Sequence, residues 1–113
     1  MEGFTQQEIE QASSVITCDL QGIVKTFSHG AQKLFGYAPE EVVNKLSVAV
    51  FHTPENLALV PELLKTAVET GKWEQELALV KKGGRQFRAR LAVRPVYREG
   101  QLTGYMGLTR PLA

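Results

Sequence analysis

Period-two alternation is clearest between Gln86 and Tyr97, where Phe87, Ala89, Leu91 and Val93 fall on one side of a strand and Arg88, Arg90 and Arg94 on the other. The apolar set belongs against a core and the arginines in water. The same parity puts Trp73, Gln75, Leu77 and Leu79 on the inner side of a strand running from Trp73 to Lys82, and leaves Glu74 and Glu76 outside to pair with arginines across the sheet. A further strand runs from Leu102 to Thr109. Gly83-Gly84 and Arg98-Glu99-Gly100-Gln101 join these three runs as hairpins. Near the N-terminus, Ser14 to Cys18 and Ile23 to Phe27 are β-rich and flank Asp19-Leu20-Gln21-Gly22, the composition of a tight turn.

Between the two strand groups the period becomes helical. Ser28 is suited to cap a short helix carrying Ala31, Leu34 and Phe35 at i, i+3, i+4 spacing, and Gly36 is suited to end it. Pro39 then opens a second helix with Glu40 and Glu41 at the positive end of its dipole, and Asn44 ends it in a left-handed conformation. Pro54-Glu55-Asn56 opens a longer helix reaching about Thr70. It bears Leu59, Leu63 and Ala67 on one stripe, Leu57, Val60, Leu64 and Val68 beside it, and Gly71 as its stop. A flanking helix is predicted from Gln6 to Ala12. The order predicts an α+β fold, a five-stranded antiparallel sheet with helices packed on one face. The chain divides into an N-terminal flanking segment 1–13, a domain 14–110 and a tail 111–113.

At 113 residues and 43% hydrophobic, the chain suffices for one domain with a modest core. A net charge of +1 gives no general attraction to nucleic acid or acidic membranes, and no apolar run approaches the roughly 20 residues that span a bilayer. The polar start MEGFTQQEIEQA does not resemble a signal peptide, and the single Cys18 cannot form an internal disulfide. These features favour a cytoplasmic protein. A phosphate-binding glycine loop, a nucleophile beside a base and a paired His/Cys spacing for zinc are all missing, so neither an enzyme nor a metal site is expected.

In this order Asp19, Gly22, Ala31, Leu34, Phe35, Gly36, Tyr37, Glu41 and Lys45 resemble the PAS (Per-Arnt-Sim) family. Trp73 after Gly71, the Gly83-Gly84 hairpin and Gly104-Tyr105-Met106-Gly107 extend the resemblance over nearly the whole chain. Two departures stand out: Ser28 replaces the asparagine common at the first cap, and Arg110-Pro111-Leu112 replaces an Asp-Ile-Thr signature.

The resemblance implies a regulatory sensory module with an internal pocket for a small apolar ligand, lined by Ile16, Cys18, Leu34, Phe35, Leu77, Leu79, Ala89, Leu91, Tyr105 and Thr109. Ala89 and Gly107 would leave room, and Thr17, Cys18, Tyr105 and Thr109 would orient a guest. The competing reading is that these side chains simply fill the core. Apolar surroundings should raise the pKa of Cys18 and suppress thiolate chemistry.

No cofactor is expected, with non-covalent flavin and haem as alternatives. The light-oxygen-voltage type of flavin adduct is not implied, because the chain lacks an Asn-Cys-Arg motif and carries Leu79 and Ala89 where inward amides belong. Trp73 resembles a tryptophan of some other flavin-binding relatives. For haem the long helix offers no histidine, which leaves His52 as the candidate axial ligand ahead of His29. The resemblance also implies a homodimer and a covalently linked output domain in a longer signalling protein, such as a histidine kinase, cyclase or chemoreceptor. Ile9, Ala12, Met106 and Leu108, with Ala78, Val80 and Ala92, would form the interface. A ligandless protein-protein interaction module is the alternative function.

Overall fold

The structure, a computed structural model, describes residues 4–112. Positions 1–3 of the expected flanking segment and 113 of the tail lie outside the described residues. The elements in chain order are α1 (Gln6–Gln11), β1 (Ser14–Asp19), β2 (Val24–Phe27), α2 (His29–Phe35), α3 (Pro39–Val42), two 3₁₀ turns (Val48–Phe51 and Pro54–Asn56), α4 (Leu59–Thr70), β3 (Trp73–Val80), β4 (Gln86–Arg98) and β5 (Gln101–Pro111). The strands form one antiparallel sheet in the order β2-β1-β5-β4-β3, so the last strand is central.

Local chemistry explains most boundaries. Asp19 Oδ1 accepts from the backbone N–H groups of Gln21 and Ile23, each at 2.9 Å, and Gly22 takes φ 85° to complete the β1–β2 turn. Ser28 Oγ accepts from Ala31 N at 3.1 Å, capping α2, and from Val15 N at 3.0 Å, tying that cap to β1. Asn44 adopts φ 62° after α3.

The long helix departs from its expected start. Pro54–Asn56 is a separate 3₁₀ turn and α4 begins at Leu59. Pro61 explains the break: it lacks an N–H and its ring would clash with the carbonyl four residues earlier, so it is tolerated only in a first turn. Leu57 and Leu59 are consequently exposed, while Leu63 and Ala67 are buried.

Helices α2 and α4 pack on one face of the sheet, α2 on β1 and α4 on β3 and β4. The core between them includes Ile16, Phe27, Phe35, Phe51, Leu63, Leu79 and Leu91. Helix α1 lies on the opposite face. Its Glu8 reaches Lys72 at 3.9 Å, and Phe4 just before it sits 5.3 Å from the Arg94 guanidinium. Among the described residues no helix is long and apolar enough to cross a membrane.

Candidate functional site

Three neighbouring strands set the geometry of the inner face. In the β1–β5 ladder Cys18 pairs with Tyr105, Ile16 with Gly107 and Ser14 with Thr109. In the β4–β5 ladder Leu91 pairs with Thr109 and Val93 with Gly107. Gly107 therefore stands mid-sheet between Ile16 and Val93 and contributes no side chain. A Cβ built there would meet Leu91 Cδ1 at 3.6 Å, ordinary van der Waals contact, so the space above it is not filled by neighbours.

A cavity of about 60 Å³ occupies that space. The sheet supplies its floor through Ile16, Cys18, Leu79, Leu91, Val93, Tyr105 and Thr109; Val60, Leu63 and Leu64 of α4 roof it. Phe35, Val48, Phe51 and His52 close one side. Phe51 is held there by aromatic contacts with Phe27, Phe35 and Tyr37 at centroid distances of 5.9, 4.7 and 5.9 Å.

Of the ten residues expected to line a pocket, Ile16, Cys18, Phe35, Leu79, Leu91, Tyr105 and Thr109 meet at this cavity. Leu77 and Ala89, a cross-strand pair of β3 and β4, are buried in the core but do not border it. Leu34 is only partly buried, packed against the core from α2. Thr17 faces the other way and its hydroxyl pairs with that of Thr26 at 2.6 Å. Gln75 has inward parity yet is exposed, on the edge strand of the sheet. Val48 and Phe51 were missed by sequence reasoning. Their signal is Ser47, whose Oγ accepts from Ala49 N at 3.1 Å and starts a 3₁₀ turn.

The polar groups at the wall are few and uncharged. Burial pushes the Cys18 thiol up to about 11, so it is no thiolate at neutral pH. Burial also raises the Tyr105 phenol. His52 caps the 3₁₀ turn and bridges to Leu79; burial pushes its imidazole down to about 4, which keeps it neutral. Its Nδ1 is shut off from solvent and has no hydrogen-bond partner among the described residues.

The outer face has the opposite character. Arg90 Nε binds Glu74 Oε2 at 2.6 Å, Lys72 Nζ lies 2.9 Å from Glu74, and Arg94 Nη1 donates to the carbonyl of Gly71 at 3.1 Å. A groove of about 220 Å³ runs beside α1, bordered by Phe4, Glu8, Ala12, Arg90, Ala92 and Leu108 among others. The expected open apolar strip is thus corrected: Leu108 and Ala92 are buried on the side that α1 covers. Ile9, Ala12 and Met106 remain half-buried.

The PAS fold model matches residues 5–112. The chain belongs to the PAS family. Two-component system protein A of Emericella nidulans is 27% identical to this PAS domain over 100 residues, which is 88% of the chain but 15% of that protein. The chain thus spans a small part of its curated relative. Among solved structures, the PAS domain of a Colwellia psychrerythraea protein superimposes with a TM-score of 0.83 at 26% identity, covering 94% of this chain and 92% of the other. A light-oxygen-voltage domain studied with a flavin analogue gives a TM-score of 0.73 at 22% identity, covering 92% and 79%, a likeness of fold.

Flavin and haem fit this arrangement of side chains poorly. Pockets that hold drug-sized ligands run to roughly 300–1,000 Å³, several times the 60 Å³ found here. The wall also offers no inward amide for a flavin ring. His52 does border the cavity, but a space of about 60 Å³ is far smaller than a haem macrocycle needs.

Proposed function

We propose that this PAS domain is a cytoplasmic sensory module that takes a small neutral molecule into the inner cavity and passes the event to a linked output domain through the outer face of the same sheet. The observation supporting this reading is a shared wall. Strand β5 presents Tyr105, Gly107 and Thr109 to the cavity and, between them, Met106 and Leu108 to the face where α1 lies. A guest that binds two arrangements of β5 and α1 unequally shifts their populations, whereas equal affinity for both transmits nothing. The likeness to a two-component system protein supports a role within a longer signalling chain. Catalysis, flavin and haem form no part of the reading.

A second reading, a ligandless module that pairs with a second copy, is favoured by the half-buried Met106 and the groove beside α1. The two separate on purification without denaturation, followed by an absorption spectrum and by native and denaturing mass spectra. A mass lost on denaturation supports the sensor. A protein of sequence mass alone, whose cavity methyls ignore small neutral probes, leaves the interaction module. Met106→Glu should then weaken self-association in sedimentation, and an unchanged dimer would remove the sheet-face version of it.

A further inference from the structure

On the outer face of β4 and β5 two successive same-face rungs of the ladder differ in kind: Ala92 stands opposite Leu108, and Arg90 stands opposite Arg110. Such rungs lie about 7 Å apart. Ala92 and Leu108 are buried and, with the half-buried Phe4 and Ala12, give part of the groove beside α1 an apolar lining. Arg90 and Arg110 border the same groove. Its volume of about 220 Å³ leaves room for a ring-sized body, since a cavity of about 150 Å³ accepts benzene.

Like charges directly opposite each other on a sheet repel. Arg90 is compensated, with Glu74 at 2.6 Å and Glu76 at 3.5 Å, and Lys72 lies 2.9 Å from Glu74 and 3.9 Å from Glu8. Arg110 is exposed and has no ion-pair partner among the described residues. Among those residues the groove is bordered by three cations, Lys72, Arg90 and Arg110, against two anions, Glu8 and Glu74, and both anions are already engaged. The site therefore favours one further negative charge beside Arg110. A carboxylate supplies it in the planar geometry that a guanidinium fork matches. A guest whose apolar body lies on Ala92 and Leu108 brings its carboxylate one rung along, to the arginine pair.

We propose that the groove between α1 and the outer sheet face binds a small carboxylic acid in its ionised form, with an apolar body on Ala92 and Leu108 and the carboxylate on Arg110. This goes beyond the reading of the inner cavity, and its failure leaves that reading untouched. The test titrates phenylacetate and its neutral counterpart phenylacetamide into the intact chain at low salt, while the Ala12, Ala92 and Leu108 methyl resonances are followed beside those of Leu63 and Leu91 on the inner face. Phenylacetate should move the first three and spare the last two, bind about five-fold tighter than the amide, and lose that preference at high salt. In Arg110→Gln the two probes should bind alike, whereas Arg88→Gln, which removes the same charge from outside the groove, should keep the preference. Should Arg110→Gln not fold, the ratio of acid to amide and its salt dependence in the unmutated chain decide. Equal binding of the two probes, equal loss of preference in both variants, or groove methyls that respond to neither probe would overturn the proposal. Groove methyls that shift with protein concentration and not with the acid would overturn it as well, because a second copy would then cover the groove.

Discussion

Strands β4 and β5 carry two surfaces built from alternating residues of the same segments, and the surfaces solve the problem of polar groups in opposite ways. On the outer side charge meets charge: Arg90 with Glu74, Lys72 with Glu74 and with Glu8. On the inner side the polar groups are neutral, sparse and, at His52 Nδ1, unpaired. Exposed pairs tolerate rearrangement at little cost, while an unsatisfied buried group is costly until something binds it. The outer face is charged and largely paired; the inner face is apolar and keeps a small unfilled space.

Two glycines of β5 give the largest contrast. A Cβ on Gly104 would lie 2.0 Å from the Cys18 carbonyl oxygen, inside the β1–β5 ladder, whereas one on Gly107 meets nothing nearer than a Leu91 methyl at 3.6 Å, an ordinary contact. Gly104→Ala should cost about 3 kcal/mol or more in urea unfolding and Gly107→Ala less than about 1. Similar losses for the two would show that the close approach at Gly104 is not real.

Leucines on the two faces come next. Leu63 and Leu108 are both buried, and either change to Ala should cost about 3 kcal/mol. Only Leu63→Ala enlarges the guest cavity, so saturating benzene should restore part of its thermal stability and leave Leu108→Ala unmoved. Equal rescue would mean that the cavity is not distinct from the rest of the core.

The pH dependence separates the faces a third way. The His52 imidazole is held at about 4, below its ordinary 6.5, so as pH falls the unfolded chain takes up this proton first. Its contribution is whole above about pH 6.5, declines towards pH 4 and is flat below, for a loss of at most about 3 kcal/mol. On the exposed faces, Lys82 holds the Glu41 carboxyl low, and Lys72 with Arg90 holds that of Glu74 low. Those contributions are present above the ordinary carboxylate value of 4.5 and are lost below it. His52→Leu should therefore flatten the stability curve between pH 6.5 and 4 without altering the acid limb, as read by urea melts at several pH values. A curve that keeps its slope assigns the titration elsewhere.

Smallest of all, Arg90→Ala should cost under about 1 kcal/mol, and the difference should fade at high salt. A loss that is large and indifferent to salt would mean the outer pairs are not solvent-screened.

Much of this division was legible in residue order. Parity alone separated Leu91 and Val93 from Arg90 and Arg94, and turn chemistry placed Gly22, Gly36, Asn44 and Gly71 in their left-handed positions. The fold class followed from where those periods change. What escaped depended on distance along a strand or on a competing local rule. Parity could not say that Leu77 and Ala89 stay off the cavity wall although they face the same way as Leu79 and Leu91. Pro61 overrode the apolar stripe at Leu57 and Leu59. The burial of Leu108 depends on α1 folding back over the sheet, a tertiary contact that strand periodicity does not encode.

The central claim, a guest cavity confined to the inner face, is met most directly by methyl spectra recorded under increasing xenon pressure. Xenon enters small dry apolar cavities. The account predicts saturable shifts at Leu63, Leu79, Leu91 and Val93, silence at the equally buried Val24 and Val42, and loss of the response in Gly107→Val. No saturable response, or one spread evenly over buried methyls and unaffected by Gly107→Val, would contradict it.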